Sequence, residues 1–308
     1  MGSSTFSIAG RSFSVSNLDK VLWPREGYTK GELIHYYLEI APYILPHLRE
    51  RPMVFTRYPN GILNTHFYQK NAPESLPDWI NTFPYYSAES KRQINFILVN
   101  DASTLAWLAN QACIEMHPWL SRIAKENYPD FLVFDLDPSP GNTFAQVRQI
   151  ALLTRQVLHE LGLRSYVKTS GSEGLHIYLP LVNEYTYSQV RDFAQAVANI
   201  ICTVLPDIAT VERMVKKRGA KVYVDYLQNV KGKTLCSVYS VRPRHGATVS
   251  TPIHWEEVNI INPGDFNIKT VIPRLKKEGE LFAPVLTDRQ SLDNAARQLG
   301  LKLNNRHR

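Results

Sequence analysis

The chain has 308 residues, 44% hydrophobic and 20% charged, a composition that supports a folded globular core and excludes a disordered or fibrous chain. Its formal charge of +7 favours an anionic partner, nucleic acid before others. No apolar run reaches the roughly 18 to 20 residues needed to cross a bilayer, and the Met-Gly-Ser-Ser start lacks the features of a signal peptide, so a cytoplasmic protein with no membrane partner is expected. Cys113, Cys202 and Cys236 are odd in number and far apart, which predicts reduced thiols and no zinc site.

In chain order, Thr29-Lys-Gly-Glu32 fits a capping box and opens an amphipathic helix through Ile34, Tyr37, Leu38, Tyr43, Ile44 and Leu48, with an interruption expected at Pro42 or Pro46. A second helix is predicted after Asn100-Asp101, with Leu105, Leu108 and Ala112 facing inward, ending near Glu115-Met-His117-Pro118-Trp119. Phe131-Leu-Val-Phe then leads as a strand into Asp135-Leu-Asp137. Alternation puts the two carboxylates on one face, where they repel unless a cation lies between them. Hard divalent ions suit that role, whereas a solvated turn at a strand end is the bland alternative.

Asn142 or Thr143 caps a helix whose apolar positions Val147, Ile150, Leu153, Val157 and Leu161 recur at helical spacing up to Gly162. Ser165 to Thr169 and Leu175 to Leu179 read as two strands joined by the Ser170-Gly-Ser-Glu-Gly174 turn, with His176 at the start of the second. Thr186-Tyr-Ser-Gln189 is another capping box, opening a helix through Val190, Phe193, Val197, Ile200 and Ile201 towards Pro206. Five of the nine positions from Arg213 to Lys221 are basic. Strand Lys221 to Asp225 brings a third acid to a strand end, and Arg242 and Arg244 stand one residue apart on an extended stretch. With no repeats or linkers, one compact unit from 1 to 308 is expected, of class α+β, with a mixed β-sheet core flanked by helices.

Three carboxylates, a Gly/Ser turn leading into a histidine, and an arginine pair interlock chemically. Carboxylate-bridged divalent ions activate an attacking hydroxyl and stabilise a leaving pyrophosphate. Backbone and hydroxyl donors at Ser170 and Ser172, together with His176, suit phosphate oxygens, and Arg242 with Arg244 suits a triphosphate.

The segments Phe134-Asp-Leu-Asp-Pro138, Thr169-Ser-Gly-Ser-Glu-Gly-Leu-His176, Val224-Asp-Tyr-Leu-Gln-Asn229 and Tyr239-Ser-Val-Arg-Pro-Arg244, followed by Gly246 to Pro252, resemble the polymerase domain of bacterial DNA ligase D, of the archaeo-eukaryotic primase superfamily. The resemblance runs from about Phe6 to Gln298 with the motifs in family order. It implies a primase-like fold in which Asp135, Asp137 and Asp225 are catalytic and hold two divalent metals, Mn2+ or Mg2+. It implies nucleotide contacts from His117, Ser170, Ser172, His176, Arg242 and Arg244. The stretch Ser16-Asn17-Leu-Asp-Lys20 to Pro24, with Thr29-Lys30, looks like the surface that recognises a 5′-phosphate on the downstream strand, so Asn17, Lys20 and Lys30 are DNA-binding candidates. Arg57, Phe67, Tyr68 and Lys70 fall in further matching segments, and Phe67 or Tyr68 is suited to stack on a template base.

The implied activity is template-directed addition of nucleotides, ribonucleotides preferred, to a primer 3′-hydroxyl during gap filling in non-homologous end joining. The implied partners are NTP or dNTP, DNA with gaps or double-strand breaks bearing a 5′-phosphate, a Ku protein and a DNA ligase, in a nucleoid-associated setting. Many relatives carry a basic or neutral residue where Glu173 stands, and a carboxylate there adds repulsion near phosphate. Two rivals are a haloacid-dehalogenase-type phosphatase with Asp135 as covalent nucleophile, and a non-catalytic module that binds 5′-phosphorylated DNA ends. Pro138 and the lone Asp225 argue against the first.

Overall fold

Strand Phe131–Asp137 organises the second half of the chain because both faces of its sequence are used. Leu132, Phe134 and Leu136 are fully buried on one face, while Val133, Asp135 and Asp137 share the other. The computed structural model describes residues 3–88 and 90–303, which fall into two compact units. The first comprises the chain up to Ala124 with Thr234–Ser250 and Gly264–Gly279, and the second comprises Lys125–Lys233, Thr251–Pro263 and the chain from Glu280.

The second unit is built on a six-stranded sheet in the order Ala209–Thr210, Val222–Asp225, Phe131–Asp137, Leu175–Pro180, Tyr166–Thr169, Pro252–Ile253. All neighbours are antiparallel except the parallel first pair, so the sheet is mixed. Helices Phe144–Glu160 and Tyr187–Val204 pack on each other and on strand Phe131–Asp137, which gives the expected α+β class with flanking helices. Thr143 opens the first helix, and the Gln146 side chain accepts from its backbone N–H at 2.9 Å. Thr186 and Gln189 repeat the arrangement at the second. Leu153 and Ile200, expected on the inner faces, are only half-buried; Thr154 and Leu158 take the buried positions.

In the first unit, helix Lys30–Leu48 starts at the Thr29–Glu32 capping box as predicted but runs uninterrupted through Pro42 and Pro46. Each proline removes one backbone hydrogen bond. Burial of Ile40, Ala41, Ile44, Leu45 and Leu48 offsets that loss, at roughly 1.5–3 kcal/mol for each large apolar side chain. The Tyr37 hydroxyl donates to Ile114 O at 2.6 Å and that of Tyr36 to Tyr239 O at 2.9 Å, pinning the helix along this stretch. The second helix, Ala102–Asn110, is capped by Asp101 and ends earlier than the apolar pattern suggested. Ala112 lies beyond it at φ 57°, and Cys113–Pro118 is a strand. Five of the six residues of that strand, all but Ile114, pair with Met53–Arg57, so the segment read as a helix end is the edge of a three-stranded antiparallel sheet. Sheet pairing over a long sequence separation overrides local helical spacing here.

Candidate active site

Cross-strand register in the second unit places Asp225 opposite Asp135, Asp135 opposite His176, and His176 opposite Lys168. Directly opposed residues share a face, so four ionisable side chains form a row across four strands. His176 Nε2 lies 3.3 Å from Asp135 Oδ1, and Lys168 Nζ lies 2.8 Å from His176 Nδ1. Lys168 is fully buried and His176 nearly so, whereas Asp135 and Asp225 are partly exposed.

Asp225 accepts from Leu227 N at 2.8 Å and Gln228 Nε2 at 3.1 Å. Its pKa is raised by burial and then by the charge of Asp135. Asp137, two residues along the same face, accepts from Arg218 Nη1 at 2.9 Å. Burial raises its pKa most, the Arg218 hydrogen bond opposes that, and Asp135 adds to it. Arg218 is buried, donates also to Glu212 O and Arg213 O, and stacks at 4.3 Å over the Tyr223 ring. The basic run from Arg213 is therefore not wholly a solvated face, because one of its members reaches the carboxylates. Beyond the end of strand Val222–Asp225, the Asn229 amide donates to Val133 O at 2.8 Å and accepts from Val133 N at 2.9 Å, taking the place of a paired residue.

The loop between the two inner strands is organised by Ser170. Its Oγ accepts from Ser172 N at 3.0 Å and Gly174 N at 3.1 Å, while its N–H donates to Gly174 O. Gly171 has φ +70°, the left-handed turn conformation that glycine adopts without strain. Ser170 is buried and shapes the loop, Ser172 is partly exposed, and Glu173 is exposed.

Among the described residues no group of three or more His, Cys, Asp or Glu side chains is arranged to hold a metal ion. The donor set nevertheless fits a hard divalent cation: three carboxylates share one face, and burial with mutual repulsion raises the pKa of two of them. Arg218 compensates only Asp137 directly.

The first unit gathers a second cluster. Glu115 Oε1 is 2.8 Å from Arg242 Nε, and its Oε2 is 3.7 Å from His117 Nε2, which is also within 3.5 Å of Thr56 Oγ1. Burial acts to raise the Glu115 pKa, but contact with His117 and the charge of Arg242 outweigh it and hold the carboxyl at about 2. The Tyr58 phenol is pushed up to about 12 by burial and the charge of Glu115, with Arg242 and Arg244 opposing. The Arg244 carbonyl accepts from Trp23 Nε1 at 3.0 Å. The Tyr68 ring lies 6.3 Å from that of His117, and Phe67 and Tyr68 are both more than half exposed.

Because the Glu115 pKa is depressed, its ionised form contributes to stability above the ordinary carboxylate range, and this is lost as pH falls from about 4.5 towards about 2. Glu115→Gln is expected to be less stable than wild type at pH 7 by about 3 kcal/mol, with the gap closing over that acid window. Urea unfolding from pH 7 down to 3 checks this; a gap independent of pH would refute it.

The remaining candidates lie elsewhere in the first unit. Lys30 is buried and donates to Asn110 Oδ1 at 3.0 Å; Lys20 donates to Asn60 Oδ1 at 3.0 Å. Burial and then the charge of Lys20 lower the Lys30 pKa, so the two ammonium groups repel. Asn17 is exposed at φ 52°, in the turn that leads to Lys20. Arg57 donates to Gln111 O, Gln111 Oε1 and Gln69 Oε1, which ties its guanidinium into the sheet, while Lys70 is exposed. Lys168, Arg218 and Glu115 were not legible as site residues from the sequence. The only hints were a lysine in an otherwise apolar strand, the basic run, and a glutamate two residues before His117.

The model of the LigD primase-polymerase domain family matches residues 29–282. The bifunctional non-homologous end joining protein LigD of Bacillus subtilis is 38% identical over 266 residues, covering 86% of this chain and 42% of that protein. The multifunctional LigD of Mycolicibacterium smegmatis is 34% identical over 276 residues, covering 89% and 36%. The chain thus spans less than half the length of these relatives. The solved polymerase domain of Mycobacterium tuberculosis ligase D, in complex with DNA, superposes with a TM-score of 0.84 at 31% identity, covering 90% of this chain and 99% of that one.

Proposed function

The chain belongs to the LigD primase-polymerase domain family, and from that premise we propose that it is a template-directed nucleotidyltransferase that fills gaps during end joining of double-strand breaks. The observation that carries the proposal is the register that sets Asp225, Asp135 and His176 side by side on one face, with Asp137 beside them. Asp135, Asp137 and Asp225 are assigned to two divalent ions, Mn2+ or Mg2+. When bound, such ions acidify the primer 3′-hydroxyl and neutralise the departing pyrophosphate.

The chain's own residues bind and orient. The Ser172 hydroxyl, on the loop shaped by Ser170, is assigned to phosphate oxygens, with His176 as a further donor. His117, Arg242 and Arg244 are assigned to the incoming nucleotide, with His117 and Arg242 held ready by Glu115. Exposed Phe67 and Tyr68 suit base stacking, and Lys70 with the Arg57 segment suits the DNA backbone. On this reading the whole chain works as a single primase-polymerase domain that prefers ribonucleotides, acts in a nucleoid-associated setting, and has a Ku protein and a ligase as partners. No helix among the described residues is long and apolar enough to cross a membrane. Family membership removes the support for the phosphatase alternative.

The test is primer extension on a gapped duplex bearing a downstream 5′-phosphate, with Mn2+ and either NTP or dNTP. Template-dependent pyrophosphate release with faster ribonucleotide addition is expected. Binding of 5′-phosphorylated ends with no extension would replace the proposal by the end-binding module.

Lys20→Ala and Lys30→Ala are each expected to reduce preference for 5′-phosphorylated over unphosphorylated gapped DNA by about tenfold, while extension of a simple primer-template changes little. Fluorescence anisotropy on the two DNAs checks this. Equal losses on both would remove the lysines from the phosphate site.

A further inference from the structure

We propose that Lys168 is a positioning residue for His176: it fixes which ring nitrogen carries the hydrogen, and so makes the imidazole a hydrogen-bond donor at the carboxylate row. An ammonium has three donors and no acceptor. With Lys168 Nζ 2.8 Å from His176 Nδ1, that nitrogen is the acceptor, and the single hydrogen of the neutral ring sits on Nε2. Nε2 lies 3.3 Å from Asp135 Oδ1, a group that accepts. One tautomer satisfies both neighbours. The other would set an N–H against the ammonium and a lone pair against the carboxylate.

The fold enforces the pairing. Lys168 and His176 are register partners on adjacent antiparallel strands, so both side chains project from the same face. Their exposures are 0% and 2%, which leaves little room for the lysine to reach solvent or for the ring to turn over. Lysine is rarely buried to this degree without compensation. Here the His176 Nδ1 acceptor lies at 2.8 Å and the Tyr178 ring centroid 5.7 Å from Nζ.

The consequence is a division of labour. Lys168, fully buried on the Nδ1 side of the ring, acts through the imidazole, while His176 offers Nε2–H to an oxygen acceptor: the Asp135 carboxylate in this structure, or a phosphate oxygen of a bound nucleotide. The part concerning nucleotide rests on the nucleotidyltransferase reading; the tautomer does not.

The experiment uses the full chain labelled with 15N-histidine and long-range 1H–15N correlation spectra, with His176 assigned by comparison with His176→Gln. The wild type is expected to show Nε2–H with Nδ1 unprotonated. Lys168→Met, which keeps length but removes the donors, is expected to shift His176 to the Nδ1–H form or a mixture, and Lys168→Arg to keep the wild-type signature. In primer extension, Lys168→Met is expected to raise the nucleotide KM about tenfold with a smaller change in kcat, and Lys168→Arg to restore it. Nδ1–H in the wild type overturns the proposal whether or not the methionine variant folds. So does a folded Lys168→Met with an unchanged His176 signature. A wild type that shows Nε2–H yet extends no primer overturns the nucleotidyltransferase reading and leaves the tautomer assignment standing.

Discussion

Asp135→Asn combined with Asp225→Asn is expected to lower template-directed extension by at least about 1000-fold, the scale of losing metal-assisted charge stabilisation. The metal-free variant should melt no lower than the wild type. The sign follows from the row. The Asp225 carboxyl is raised by burial and by the charge of Asp135, so its ionised form is less favourable in the fold than in the unfolded chain and weakens the fold at neutral pH. Paired amides keep the shape while removing that repulsion, and the amide oxygen introduced by Asp225→Asn still accepts from Leu227 N, as the Asp225 carboxylate does at 2.8 Å. Asp137 retains its bond from Arg218, so no buried guanidinium is left without its carboxylate.

Manganese should raise the melting temperature of the wild type, with about 2.7 kcal/mol of stabilisation at a concentration of about 100 times Kd, and leave the variant unmoved. Undiminished extension would remove both acids from the chemistry. A metal-induced rise retained in the variant would place the metal elsewhere.

Gly174→Ala is expected to destabilise the protein by about 3 kcal/mol, a drop of roughly 10 °C in the thermal midpoint, and to abolish extension. A Cβ at Gly174 would lie 2.0 Å from Leu136 O and 3.2 Å from its carbonyl carbon. These are backbone atoms between Asp135 and Asp137 and cannot swing away as a side chain tip would. Relief requires the loop to lift from the strand end, which breaks the Ser170 hydrogen bonds on both sides of Gly174. It also displaces the phosphate loop from the carboxylates. Gly141→Ala is the control: with φ +93° and nothing within 4 Å of its Cβ, it meets only conformational strain, about 1 kcal/mol. Thermal melts of both variants decide the matter, and equal losses would refute the clash.

Local rules carried much of the fold. Capping residues at Thr29, Thr143 and Thr186 placed three long helices at their true starts, because a side chain that satisfies an orphan N–H acts within three residues. Alternation placed Asp135 and Asp137 on one face for the same reason of short range. Local rules failed where tertiary packing outweighed them. Pro42 and Pro46 sit inside an unbroken helix because its apolar side is buried, and Ala112 left the helical face because Cys113–Pro118 found a partner strand far away in sequence.

The sequence by itself determined the family, the carboxylate pair, the third acid and the loop that leads into His176, since each is a short motif whose chemistry lies in its residue types. Only the tertiary structure decided that Asp225 and His176 flank Asp135, that Lys168 stands behind His176 rather than in solvent, that Arg218 leaves a basic run to reach Asp137, and that Glu115 joins His117 to Arg242. The physical reason is register. A strand's period of two fixes which face a side chain takes, but the partner opposite it depends on hydrogen bonds to strands tens of residues away, and those are settled by burial of the shared core.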